Sequence, residues 1–146
     1  MRAFPGLIAL LISFTAAFAG PKEDALQVID TWAKAFAASD VDGIVKLYAP
    51  DALFIGTGSK AVVTKPEGIR KYFEAALLTN RPRGATLNSY EAMPLSDTAV
   101  VVAGLDTVTG VRDGNPMSAT GRVTFVVAKQ DADWRIVHFH RSAMPQ

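Results

Sequence analysis

The sequence predicts an α+β fold in which helices cover one face of a curved antiparallel sheet. Three observations carry that expectation. Apolar residues recur at helical spacing in the first half of the chain beyond residue 20, four long β-rich runs follow from residue 86, and the breaks between those runs are short enough for hairpins. Helices first and a meander afterwards bury one sheet face and leave the other open. A curved sheet folded over helices makes a cone, and a cone leaves a pocket.

Over residues 21–39, Leu26, Ile29, Ala33 and Phe36 form the apolar stripe of a long helix, with Val28 and Trp32 widening it. Ser39-Asp40 supplies cap chemistry for a short second helix with Ile44, Leu47 and Tyr48 on one face, ended by an Ala49-Pro50-Asp51 turn. Residues 52–55 read as a short strand and residues 56–59 as a turn. Thr64 and Glu67 have capping-box spacing, with Pro66 in the first turn of a third helix carrying Ile69, Tyr72, Phe73, Ala76 and Leu77. The strands are expected at 86–93, 99–111, 117–129 and 134–143, with Gly104, Gly110 and Gly121 as bulge or bend sites.

At 146 residues without an internal repeat, the chain holds one domain, placed at 20–146. Apolar residues make up 49% and charged residues 20%, nearly cancelling to +1, which excludes disorder. The lack of a basic run or of aromatics interleaved with basic residues argues against a nucleic-acid partner. With no cysteine, zinc-thiolate sites, cysteine nucleophiles and disulfides are excluded. Arg2, the apolar run from Leu7 to Phe14 and the Ala17-Phe18-Ala19 triplet predict a signal peptide over 1–19. The mature protein is then exported to the periplasm or beyond the cell, with no membrane attachment after cleavage.

Trp134-Arg135-Ile136-Val137-His138-Phe139-His140-Arg141-Ser142 resembles the final strand of the association (hub) domain of calcium/calmodulin-dependent protein kinase II. The likeness extends through Leu47-Tyr48-Ala49-Pro50-Asp51-Ala52 and Tyr72-Phe73-Glu74. Arg122-Val123-Thr124-Phe125-Val126 is similar to SnoaL-like and SgcJ/EcaC-type stand-alone domains. The resemblance implies an NTF2-like cone, three helices on a curved antiparallel sheet, that pairs with itself through the outer sheet face as a homodimer or larger ring. It implies no kinase activity, and no cofactor is expected. Pocket arginines stand on three successive strands in the kinase hub; here Arg141 is retained, and Leu105 and Phe125 occupy the other two positions. A less polar pocket with one cation at its base follows, suited to a small apolar carboxylate.

Period two along the last strand puts Val137, Phe139 and Arg141 on one face and Trp134, Ile136, His138 and His140 on the other. The resemblance turns the Arg141 face to the pocket and gives Trp134, His138 and His140 to the dimer face. Arg141 either captures a ligand carboxylate or stands in a salt bridge to Asp51, Glu91 or Asp106, because a guanidinium out of water needs a partner. His138 and His140 have the spacing of a metal pair, but only Asp106 is at hand as a third ligand, so no metal is expected. Trp32, Tyr48 and Tyr72 come from three helices and either line the pocket or belong to the core. The first reading is a pocket-bearing binding and oligomerisation module. The alternative is a small isomerase, dehydratase or cyclase acting on a hydrophobic carbonyl compound, with Asp51, Glu91 or Asp106 as base. In a third, Phe54, Phe73 and Phe125 fill the cone. Arg81-Pro82-Arg83 reads as a charged loop, not a binding patch.

Overall fold

In the computed structural model, which describes residues 19–146, helix α1 spans Pro21–Ala37. The predicted signal peptide lies, apart from Ala19, outside the described residues. Pro21 opens the helix, Glu23 and Asp24 sit in its first turn and Lys34 in its last, so proline and charges all suit the helix ends they occupy. Ala25, Ile29, Trp32 and Phe36 are its buried stripe. The end of α1 is a Schellman motif: Ser39 takes φ +53°, its N–H donates to the Phe36 carbonyl, and the Asp40 N–H donates to that of Ala35. Asp40 then caps α2 (Val41–Lys46) by accepting from the Gly43 N–H at 2.8 Å. One short segment thus ends one helix and starts the next.

Tyr48, expected on the face of α2, instead opens strand β1 (Tyr48–Ile55). The Ile136 N–H donates to the Leu47 carbonyl at 2.8 Å, so sheet pairing starts before the proposed turn at Pro50. Pro50 is tolerated because β1 is an edge strand, and the pairing is irregular between Tyr48 and Leu53. Helix α3 (Pro66–Leu77) starts one residue later than a Thr64 capping box requires. Lys65 is its N-cap, in extended conformation and without a side-chain cap, because the residue before a proline is pushed out of the helical region.

Strands β2 (Gly84–Ser96), β3 (Ala99–Arg112), β4 (Asn115–Gln130) and β5 (Asp133–Ala143) follow as an antiparallel meander. The sheet order is β1-β5-β4-β3-β2, with β1 parallel to β5. The sheet is therefore mixed, where a purely antiparallel one was expected, because β1 reaches β5 only through α3 and the whole meander. The β3–β4 turn has φ +50° at Asp113 and +76° at Gly114, the positive pair of a type I′ hairpin.

Bulges fall at other places than the predicted glycines. The β3–β4 register runs unbroken through Gly104, Gly110 and Gly121, while β2 carries extra residues at Asn88 and Leu95 and β5 at Val137. The bulge at Val137 changes the parity of the last strand. Ile136 pairs with Val127 and Phe139 with Phe125, all four buried under the helices, so Ile136 is a core residue and does not share a face with His138 and His140.

The core is aromatic. Trp32 packs against Phe125 and Phe139 at centroid distances of 5.5 and 5.6 Å, and Phe54 stacks on Phe139 at 5.1 Å. Within it the Trp32 indole N–H donates to the Tyr48 hydroxyl at 3.1 Å. Tyr48→Phe leaves that N–H buried without an acceptor and is expected to cost about 1–3 kcal/mol in urea unfolding. Burial, against a smaller opposite effect of the Trp32 hydrogen bond, pushes the Tyr48 phenol well above its ordinary value. The unfolded chain then releases this proton first, so stability from Tyr48 is intact below about pH 10 and falls as pH rises through the folded value. Tyr48→Phe should flatten that alkaline decline in a pH series of denaturation midpoints.

Candidate functional site

Three neighbouring strands build the polar end of the concave face. Arg141 projects from β5, and its Nε donates to both carboxylate oxygens of Asp106 on β3, at 2.9 and 2.8 Å. Between them lies Gly121 on β4, where a Cβ would come within 2.6 Å of the guanidinium carbon. A residue without a side chain is thus what lets the arginine cross one strand to reach the acid. Nη1 donates to the Thr57 hydroxyl at 2.9 Å and Nη2 to the Ala119 carbonyl at 3.0 Å. The side chains are 11% and 6% exposed, so this is a buried charge pair with its geometry largely satisfied. Of the partners considered for Arg141, Asp106 is the one the fold supplies; Asp51 and Glu91 are exposed.

Beside this pair opens a cavity of about 220 Å³. Trp32 and Phe36 of α1, Tyr72 and Phe73 of α3 and Phe139 of β5 form its aromatic walls, and Val108, Met117 and Ala119 its sheet floor. Tyr72 fits closely because Gly56 has no Cβ, which would lie 2.2 Å from the ring. Thr57, Arg83, Arg141 and the phenol of Tyr72 supply the polar part of the lining, with no carboxylate in it.

Arg83, expected in a charged loop and not in a binding patch, reaches the cavity. Its guanidinium carbon lies 5.6 Å from the centroid of the Phe36 ring, and Gly110 leaves room that a Cβ, 2.4 Å from Nη1, would remove. Its Nε is buried without a hydrogen-bond partner. Burial lowers the pKa of this guanidinium from its ordinary value, against a smaller opposite effect of Tyr72. The available signal was the hairpin register: Gly84 pairs with Thr109, which brings the preceding residue beside Gly110. Two bulges in β2 hide that register from a count along the sequence.

The other sequence candidates separate. Trp32, Tyr72 and Arg141 meet at the cavity, whereas Tyr48 is enclosed in the core. Phe125 is buried beside Asp106 at a separate gap of about 20 Å³. Leu105 pairs with Arg122 on the convex face, since its neighbour Asp106 points inward and strand residues alternate; its proposed place in the pocket is corrected. Trp134 is corrected too: the Val137 bulge places it beside Val28 of α1 and Leu47, off the convex face that carries His138 and His140. His138 pairs with Val126 and His140 with Thr124 on the convex side, away from Asp106. Among the described residues no group of three or more His, Asp or Glu side chains is arranged to hold a metal ion. Phe54, Phe73 and Phe125 fill much of the concave space, but the cavity remains beside them.

The profile of the SnoaL-like domain family matches residues 25–146. A crystal structure from Xanthomonas campestris, named for the calcium/calmodulin-dependent protein kinase II association domain, is 29% identical with a TM-score of 0.78, covering 100% of this chain and 99% of its own. An NTF2-like superfamily protein from Salmonella enterica is 22% identical with a TM-score of 0.76, covering 86% and 92%. A Novosphingobium aromaticivorans protein named for an aromatic ring hydroxylase is 21% identical with a TM-score of 0.72, covering 83% and 88%. The last two share the fold. No curated protein matches the chain in sequence.

Removing one partner of the buried pair strands the other charge. Asp106→Asn is expected to cost roughly 3–5 kcal/mol in chemical denaturation. Gly121→Ala should destabilise as well, by pushing Arg141 off its acid. A loss below about 1 kcal/mol for Asp106→Asn, the worth of an exposed pair, would show that the pair contributes as a surface contact does.

Proposed function

This chain belongs to the SnoaL-like domain family, and we propose that it is a ligand-binding module whose half-filled cone takes a small apolar carboxylate. The observation that carries the reading is the cavity of about 220 Å³, with aromatic walls and arginine as its charged lining. An engineered apolar cavity of about 150 Å³ holds one benzene. The space here therefore suits one ring or a short branched chain with a carboxylate, and disfavours a fused polycyclic compound.

The isomerase, dehydratase or cyclase reading is less well supported. It needs a base within about 3 Å of a bound proton. Asp106, the buried carboxylate among its candidates, faces the gap of about 20 Å³ and gives both oxygens to Arg141. In the larger cavity no carboxylate or histidine lines the wall, and Tyr72 carries the phenol there.

Self-association through the convex face is part of the proposal. His138 and Leu53 pair there across β5 and β1, and the outward Met93 of β2 is 57% exposed. Export rests on Arg2, the apolar run that follows and the Ala17-Phe18-Ala19 triplet.

A thermal-shift series tests the binding reading, because a ligand that binds the native state alone stabilises it by mass action, about 2.7 kcal/mol at a hundred times its Kd. Single-ring and branched-chain carboxylates are expected to raise Tm in proportion to log concentration, and two-ring acids to do so less. If no carboxylate raises Tm while a hydrophobic carbonyl compound is turned over, the binding reading fails and the enzyme reading replaces it. Light scattering at micromolar concentration should give the mass of a dimer or larger ring; a monomer would remove the self-association.

A further inference from the structure

We propose that the guanidinium of Arg83, and not that of Arg141, is the group that takes the carboxylate of the ligand. The inference rests on reading the cavity as a carboxylate site and assigns the recognition within it. Both arginines line the same cavity, but their charges are differently matched. Arg141 is paired with Asp106 and held by Thr57 and the Ala119 carbonyl, so three of its nitrogens already have acceptors. Together with Asp106 it brings no net charge to the cavity.

Arg83 forms none of the ion pairs found among the described residues. Its Nε is buried without an acceptor, and in native structures an unsatisfied buried donor of this kind calls for an ion, a water or a ligand. The charge is also held in place. The guanidinium carbon lies 5.6 Å from the centroid of the Phe36 ring, and Gly110 approaches Nη1 so closely that a Cβ there would lie 2.4 Å from it, so the group is packed against both α1 and β3. A planar fork fixed at the edge of an aromatic cavity suits a carboxylate on a flat or compact apolar body. The ligand's charge would replace the missing protein anion, and its apolar part would meet Trp32, Phe73 and Phe139.

Calorimetry with benzoate and its neutral isostere benzamide tests this on the whole protein. Benzoate is expected to bind the parent more tightly than benzamide. Arg83→Gln should weaken benzoate roughly ten- to a hundredfold, the worth of a charge-assisted hydrogen bond, and leave benzamide within about twofold. Equal benzoate affinity in the parent and Arg83→Gln overturns the assignment while keeping the carboxylate cavity. Equal affinity of the parent for benzoate and benzamide overturns it too, leaving a cavity that binds without using charge. If neither compound binds the parent, the carboxylate reading falls with the assignment. Should Arg83→Gln not fold, the arginine Nε–H resonances of the parent decide: benzoate is expected to shift that of Arg83 and leave that of Arg141 in place, and the reverse overturns the proposal.

Discussion

The concave face is organised by one requirement: a guanidinium placed inside a sheet must find an anion there. Arg141 meets it by crossing Gly121 to Asp106, which ties β5 to β3 over the strand between them. This end of the face is polar and cannot be closed by packing alone. Thr57, from the loop after β1, and the Ala119 carbonyl complete the coordination and bind that loop to the sheet. A pair of this kind adds little net stability compared with a hydrophobic replacement, yet losing one partner is costly. It therefore specifies an arrangement more than it strengthens one, and the cavity beside it inherits its shape.

The opposite end of the face is filled by rings. Phe54, Phe73, Phe125 and Phe139 meet Trp32 and Tyr48, and the Trp32–Tyr48 hydrogen bond satisfies a polar group that so apolar a cluster would otherwise strand. Between the filled and the charged ends lies the cavity, walled by the outermost members of the aromatic cluster. The fold and its site share side chains: Trp32, Phe73 and Phe139 belong to both the core and the cavity wall. Shape there is fixed by packing, and chemical selectivity is left to the few polar groups at the edge.

Two single-residue features set which side chains reach that edge. The bulge at Val137 lets Ile136 and Phe139, three residues apart, both face the helices, and it carries Arg141 inward with Phe139. Without the extra residue one of the two would lie on the convex face. The second is Gly110, whose missing Cβ allows Arg83 to lie against β3.

The sequence by itself determined the order of helices and strands, the hairpin breaks and the α+β class, because hydrophobic period and turn residues act locally. Its likeness to SnoaL-like and kinase-hub domains also identified the family. Only the tertiary structure decided that Leu105 and Trp134 leave the faces assigned to them, that Asp106 is the partner of Arg141, and that Arg83 enters the cavity. For Trp134 and Arg83 the reason is the same. Strand parity changes with every bulge, and a bulge forms where packing and hydrogen bonding across strands demand it, at positions such as Asn88 and Val137 that carry no local mark.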